Sequence, residues 1–133
     1  MVSQGTVSDE VTQAFAKVSS RELRWVIAKV ENSDIVLVAS GVRDSPLSEL
    51  VAALGDEPAY VVYDFEGTRE DGSGVMKTVF IAYAPDSCKS MQAKFAIQNF
   101  KASVKSKINC HKEMQINDKA DLTEAEFRDA FNL

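Results

Sequence analysis

The chain has 133 residues, of which 45% are hydrophobic and 26% are charged, and its formal net charge is −5. This length and composition predict a single domain over residues 1–133 with its own core. The negative charge argues against a general nucleic-acid-binding protein, which needs a net basic surface. No apolar run approaches the ~20 residues of a membrane span. The N-terminus lacks a signal-peptide pattern, so we expect a cytoplasmic protein.

The N-terminal part of the chain predicts an arm, a helix and a hairpin. Residues 1–7 are small and polar and are expected to form a mobile N-terminal arm. Ser8 can accept hydrogen bonds from the free amides of a first helix of about ten residues. Arg24–Val30 and Ile35–Ser40 are rich in β-forming residues and flank the turn-forming Glu31–Asp34, which predicts a β-hairpin.

The middle of the chain predicts a second helix and two central strands. Ser45 and Pro46 are typical of an N-cap and a first helical residue, and Gly55 is typical of a helix end. Tyr60–Glu66 and Lys77–Ala84 are nearly continuous apolar runs, as expected for strands that are covered on both faces.

The C-terminal part predicts a long helix, an edge strand and a last helix. Pro85–Ser87 is a helix-start signal, and no Gly or Pro interrupts the chain up to Ile108. Glu113–Asn117 alternates like a short edge strand, and Thr123 with Glu126 forms a capping box. The order of elements predicts an α+β fold, an α/β sandwich with a central mixed five-stranded sheet flanked by helices.

Residues that suggest catalysis or metal binding are isolated in this sequence. Cys88 and Cys110 have no companion ligands and are expected to be reduced thiols. His111 is adjacent to Cys110 on a predicted strand edge, so the two side chains point to opposite faces. Asp64 and Glu66 alternate without the spacing of a carboxylate pair. We expect no enzyme, no metal and no cofactor; an enzyme using either thiol is the alternative from another class.

The predicted long helix carries two different faces. One stripe can dock on a core and consists of Ala93, Ala96, Ile97, Phe100 and Val104. A second stripe consists of Lys94, Gln98, Lys101 and Lys105, with Met91 and Phe95 beside it. The stretch from Cys88 to Lys112, including both ends, contains six lysines and no acid. A helix that only covers a sheet needs no large apolar groups outside, which favours a contact surface. Burial of Phe95 by a loop, with solvated lysines, is the alternative.

The N-terminal stretch Ser3–Phe15, the strand exit Val79–Ser87 and the order of elements resemble the actin-depolymerizing factor/cofilin family. The strand exit, which ends in Ala-Pro-Asp-Ser, is the most specific of the three. The resemblance implies a gelsolin-like ADF-homology domain. It also implies a monomeric cytoskeletal protein that binds actin monomers and filaments and promotes filament disassembly. Because Glu70 and Asp71 dilute the basic residues Arg69 and Lys77, we expect severing to be weak. A coactosin-like or glia-maturation-factor-like protein that binds filaments or branch junctions without depolymerizing is the alternative.

The resemblance and the second helix face together predict the contact residues. Ser3 resembles the family's serine after position 2 and is the predicted phosphorylation site. Phe95 stands where the family has Met, and one extra residue precedes Lys94. The predicted actin contacts are Ser3, Gly5, Met91, Lys94, Phe95, Gln98, Lys101 and Lys105. The predicted filament contacts are Arg69, Lys77, Glu124 and Arg128. The lysines are also expected to meet anionic phosphoinositides.

Overall fold

The computed structural model describes residues 6–32, 34–108 and 110–133. One mixed sheet has the strand order β1-β3-β2-β4-β5-β6. The strands are β1 (Thr6–Val7), β2 (Leu23–Glu31), β3 (Asp34–Val42), β4 (Ala59–Thr68), β5 (Gly74–Tyr83) and β6 (Lys112–Ile116). The helices are α1 (Asp9–Ser19), α2 (Leu47–Ala53), α3 (Met91–Lys105) and α4 (Glu124–Ala130), with a 3-10 turn at Lys119–Asp121.

The five longer strands confirm the predicted mixed sheet. β2, β3, β4 and β5 pair antiparallel, whereas β6 pairs parallel to β5 at the sheet edge. The additional strand β1 is a difference from the prediction, because Thr6 and Val7 pair parallel with Asp34 and Ile35. These two residues of the predicted arm are therefore part of the sheet, and residues 1–5 lie outside the described part of the chain.

Two apolar layers cover the two faces of the sheet. Successive residues of β4 point to opposite faces, so Val62 packs beneath α1 and α3 while Tyr63 packs against α4. This explains the continuous apolar runs of the central strands, which serve two cores at once. The α4 layer includes stacked rings of Phe65 and Phe127, whose centroids lie 5.7 Å apart.

Two of the four predicted helix starts are confirmed by side-chain caps. The Ser8 hydroxyl accepts from the amide of Val11 at 3.3 Å, and the Thr123 hydroxyl accepts from that of Glu126 at 3.2 Å. The predicted start of α2 was one residue early, because Pro46 occupies the N-cap position and provides no side-chain cap. The second helix also ends at Ala53 instead of Gly55.

The start of α3 was predicted several residues too early. Ser90 is the N-cap, and its hydroxyl accepts from the amide of Ala93 at 3.1 Å. The earlier candidates are engaged elsewhere, because the Ser87 hydroxyl donates to Asp56 at 3.0 Å and the Asp86 amide donates to the Asn117 carbonyl at 2.9 Å. These contacts tie residues 86 and 87 to neighbouring loops, so the helix begins only after them.

A charged network joins the α1–β2 turn, the end of β3 and strand β4. The buried Asp64 carboxylate lies 3.1 Å from Arg21 and 2.9 Å from Arg43, and Arg43 also pairs with Glu66. Burial of Arg43 opposes its charge, but the bonds to Glu66 and Asp64 prevail and raise the pKa of Arg43. Asp64 and Glu66 therefore have a structural role in fixing these three segments.

Candidate functional site

The inner face of α3 fastens the helix to the sheet. Ile97 is 1% exposed and Val104 is fully buried, while the other members of the predicted docking stripe are half-buried. The hydroxyl of Tyr60 in β4 donates to the Ile97 carbonyl at 2.7 Å. Contacts on both the side chain and the backbone of Ile97 fix the rotation of α3 about its axis.

Tyr60 is held in place by the core beneath α3. Its ring stacks on Phe80 with a centroid distance of 5.8 Å. Burial raises the pKa of Tyr60, because an ionised phenolate loses its hydration there. The hydroxyl therefore stays protonated at neutral pH and donates to the helix, giving the opposite face of α3 a rigid support.

The outer face of α3, defined as Met91, Lys94, Phe95, Gln98, Lys101 and Lys105, lies away from the buried stripe of the helix, with Lys94 and Lys101 half-buried and the other four residues exposed. Met91 and Phe95 are each 60% exposed, so the alternative that a loop buries Phe95 is wrong. Because they are four residues apart, these two side chains lie next to each other on the helix surface. Exposed apolar patches of this kind are typical of contact sites, although single exposed residues are ordinary.

The three lysines of the outer face differ in their surroundings. Lys101 and Lys105 lie one turn apart, with their Nζ atoms 4.0 Å and 3.6 Å from Oε1 of Glu113. Lys94 forms no ion pair with any residue in ranges 6–32, 34–108 and 110–133. The outer face therefore combines an apolar half, which contains Lys94, with a half whose two lysines, Lys101 and Lys105, lie next to Glu113 of β6.

Sequence reasoning missed Glu113 as a neighbour of the outer face. The parallel register places Glu113 beside Phe80, whose ring lies in the layer beneath α3. Residues in register on adjacent strands point to the same face, so Glu113 faces the lysines of α3. The alternation within β6 was visible in the sequence, but the pairing register was not.

The predicted filament contacts lie around α4, on the opposite side of the sheet from α3. Arg128 donates to the carbonyl of Thr68 at 3.4 Å, and Arg69 is the next residue of the β4–β5 loop. Lys77 of β5 lies opposite Phe65 of β4 in the sheet register, and Phe65 packs on α4. Glu124 lies in the first turn of α4. The structure thus groups all four residues in one region.

The remaining predicted residues are either outside the described part of the chain or engaged in structural contacts. Ser3 and Gly5 fall in residues 1–5, outside the described ranges. His111 is tied to β5, because its Nδ1 accepts from the Thr78 amide at 2.9 Å. Within the described ranges no three potential metal ligands gather. None of the helices described here has the length and apolarity needed to cross a membrane.

Comparison with known proteins finds a family match over almost the whole chain. Residues 4–132 match the family described as "Cofilin/tropomyosin-type actin-binding protein". An actin-depolymerizing factor of Brassica napus is 28% identical over 82 residues, which are 61% of this chain. This chain spans 65% of that relative's length, which is under two thirds.

Solved structures share the fold. Actin depolymerization factor 2 of Plasmodium berghei superimposes with a TM-score of 0.83 at 25% identity, covering 98% of this chain and 97% of that one. Human coactosin-like protein has a TM-score of 0.80 at 19% identity, covering 96% of this chain and 98% of that one. The second likeness shows the fold alone. The matched family is one of actin-binding proteins and not a classical enzyme family.

Proposed function

Because the chain belongs to the family of cofilin/tropomyosin-type actin-binding proteins, we propose that it binds actin monomers and filaments through the outer face of α3 and promotes filament disassembly. The observation that carries this proposal is the 60% exposure of Met91 and Phe95 on a helix whose other side is fixed to the sheet. A rigid helix with apolar anchors and flanking cations is suited to a cleft with an acidic rim.

The outer face divides the work of binding between its apolar and basic residues. Met91 and Phe95 lose water when a partner covers them, so they act as anchors that slow dissociation. Lys94, Lys101 and Lys105 lie at the rim and attract an acidic partner from a distance, which raises the association rate. Gln98 lies between the two groups and supplies a neutral hydrogen-bonding contact.

The double variant Phe95→Ala/Lys101→Glu tests this assignment. Losing an anchor and reversing a rim charge should reduce both filament co-sedimentation and monomer binding, by about 2 kcal/mol or more. Val42→Ala/Lys17→Glu is the matched control, because Val42 is 66% exposed on β3 and Lys17 is exposed on α1. Unchanged actin binding in the first variant would remove the outer face of α3 from the interface.

A second contact surface at Arg69, Lys77, Glu124 and Arg128 is proposed to reach a neighbouring subunit in the filament. Its position on the opposite side of the sheet from α3 supports contact with two subunits at once. Glu70 and Asp71 next to Arg69 lower the net positive charge of the β4–β5 loop, so severing should be weak. Arg128→Glu should lower filament binding while monomer binding stays constant. Equal loss of both would contradict a filament-specific role.

We assign the protein to the cytoplasm and the actin cytoskeleton, as a single-domain monomer without a catalytic role. The two apolar layers on one shared sheet support the single domain. Replacement of Cys88 and Cys110 by Ala should leave actin turnover unchanged, since neither thiol belongs to the outer face. Loss of turnover in a variant that still folds would favour the thiol-dependent alternative.

Phosphorylation of Ser3 is proposed as a switch on actin binding. At neutral pH a phosphate adds roughly two negative charges to a segment that is expected to approach an acidic partner. Ser3→Asp should therefore weaken actin binding, with Ser3→Ala as the neutral control. Equal affinity of the two variants would remove the switch.

Anionic phosphoinositides are proposed as competitors for the lysines of the outer face. Lys94, Lys101 and Lys105 offer a compact cationic surface, which attracts acidic headgroups at the membrane surface. The fraction of protein that floats with liposomes should increase with the acidic lipid fraction. It should decrease in the variant in which Lys94, Lys101 and Lys105 are all replaced by Gln. Flotation that is independent of acidic lipid would reject this partner.

Binding to filaments without depolymerization is the second candidate function. The same fold occurs in human coactosin-like protein and in actin depolymerization factor 2 of Plasmodium berghei, so the scaffold is compatible with both candidates. Disassembly of pyrene-labelled filaments separates the two candidates. Faster subunit loss supports the depolymerizing activity, and an unchanged rate with retained binding supports the coactosin-like one.

A further inference from the structure

The strand next to α3 places a carboxylate between two of the lysines on the outer face. We propose that Glu113 is a built-in competitor for acidic partners, lowering the effective charge that Lys101 and Lys105 present to actin. This inference rests on the proposed function, because it assigns a specificity-determining role to a residue beside the same surface. It concerns the half of the outer face that contains Lys101 and Lys105 and leaves the apolar anchors unaffected.

The geometry of β6 fixes Glu113 in this position. Its parallel pairing with Phe80 directs it towards α3, where Lys101 and Lys105 flank the same carboxylate oxygen. The side chain of Glu113 is 33% exposed, against 29% for Lys101 and 44% for Lys105. All three side chains are thus partly exposed, and an approaching partner can contact their charged ends.

The distances favour competition over positioning. A well-formed hydrogen bond between an ammonium and a carboxylate is about 2.7–2.9 Å long. The 3.6 Å and 4.0 Å separations at Glu113 are longer, so the carboxylate offsets the charge of the lysines without fixing their orientation. Such exposed pairs contribute only about 0–1 kcal/mol, and a partner's carboxylates can replace Glu113 at little cost.

Glu113 is the acidic residue that offsets the positive charge of α3 at its C-terminal half. α3 contains Lys94, Lys101 and Lys105 and no acidic residue of its own. Glu113 therefore offsets one of the two positive charges at the C-terminal half, which presents about one net charge instead of two. Lys94, in the N-terminal half, has no ion-pair partner among the described residues, so its charge is not offset in this way.

Glu113→Gln is the variant that tests the proposal. It removes the charge with little change in shape, so the association rate with actin monomers should rise about two- to fivefold at low salt. The increase should shrink between ~0.02 M and ~0.3 M salt, because screening suppresses interactions between exposed charges. The dissociation rate should stay nearly constant, since Met91 and Phe95 are unchanged.

Two control variants give the result a specific cause. Glu49→Gln makes the same change in net charge on α2, which covers the opposite face of the sheet, and should leave the association rate unchanged. In a Lys101→Gln/Lys105→Gln background, the further change Glu113→Gln should accelerate association less than in the wild type, because only the direct repulsion of the partner by the carboxylate is left to remove. An equal or larger acceleration there would overturn the proposal, as would an unchanged or slower association of Glu113→Gln alone.

A second probe separates this inference from the proposed function. Binding of a short oligoglutamate peptide depends on the lysines of α3 and not on actin recognition. If the wild-type chain fails to bind actin while Glu113→Gln tightens oligoglutamate binding, the proposed function is wrong and the competitor role holds. If actin binds but Glu113→Gln alters neither probe, the competitor role is wrong and the proposed function holds.

Discussion

The inner and outer faces of α3 use similar apolar side chains for different purposes. Ile97 and Phe95 are two residues apart, yet Ile97 is 1% exposed and Phe95 is 60% exposed. The first is enclosed by the core and its backbone is held by Tyr60, whereas the second ends in solvent. Residues for stability and residues for the proposed binding thus lie on separate faces of one helix, so mutations can separate their effects.

The largest expected effect is on the inner face. Ile97→Ala should lower the free energy of unfolding by about 2–5 kcal/mol, because it leaves a cavity at a fully enclosed site. Chemical denaturation with urea measures this change. A loss below ~1 kcal/mol would mean that α3 is only loosely attached and that the two faces are not distinct.

The next effect belongs to the outer face. Phe95→Ala should weaken actin binding by about 2 kcal/mol, roughly a thirtyfold change in Kd. Its free energy of unfolding should change by less than about 0.5 kcal/mol, since the side chain is largely exposed already. Titration calorimetry and urea denaturation on the same sample measure both quantities. Destabilisation equal to that of Ile97→Ala would end the distinction between the faces.

A smaller effect is expected where the sheet supports the helix. Tyr60→Phe removes the hydroxyl that donates to the Ile97 carbonyl, at a cost of about 1 kcal/mol in the free energy of unfolding. Its ring packing against Phe80 is retained, so the fold should persist. Urea denaturation at neutral pH measures the loss. A variant as stable as the wild type would show that the bond contributes nothing to holding α3.

The same variant carries a prediction at alkaline pH. Burial raises the pKa of Tyr60 above its unfolded value of about 10. Above that pH the unfolded chain releases the proton first, so this contribution to stability is complete below pH ~10 and is lost as pH rises further. Tyr60→Phe should therefore show a flatter decline of stability between pH ~9 and ~11. Burial also raises the pKa of Tyr63 and Tyr83, so part of the decline should remain.

The smallest effect compares two lysines within the outer face. Lys94→Gln should slow association with actin about twofold at low salt, whereas Lys105→Gln should have less effect because Glu113 already offsets its charge. Stopped-flow measurement of the association rate resolves the difference. A larger effect at Lys105 than at Lys94 would contradict the assigned role of Glu113.

The local parts of this fold were predictable from the sequence. The helix caps at Ser8 and Thr123 each form a hydrogen bond with a residue three positions further along the chain. The docking stripe of α3 depends on the helical period alone. The same period placed Met91 and Phe95 on the outer side of the helix, but the 60% exposure of Phe95 was established only by the structure. The caps and the two helix stripes are determined by neighbours within a few turns of the chain, so these features needed no tertiary knowledge.

The features that sequence reasoning missed depend on segments distant in the chain. Ser87 was a reasonable cap for α3, but its hydroxyl donates to Asp56, 31 residues away. The pairing of β1 with β3 and the position of Glu113 opposite α3 are set by sheet register. Register is chosen by the packed sheet as a whole, and the alternation of side chains along one strand does not specify it.

The central claim is that α3 binds its own sheet with one face and actin with the other. The most direct test of this claim is the relaxation enhancement that a soluble paramagnetic probe causes in the NMR signals of the Met91 and Ile97 methyl groups. It is recorded without actin and with saturating actin. The Met91 methyl should relax strongly in the free protein and become protected in the complex, while the Ile97 methyl should be protected in both. An equally exposed Met91 methyl in the actin-saturated sample would contradict the claim.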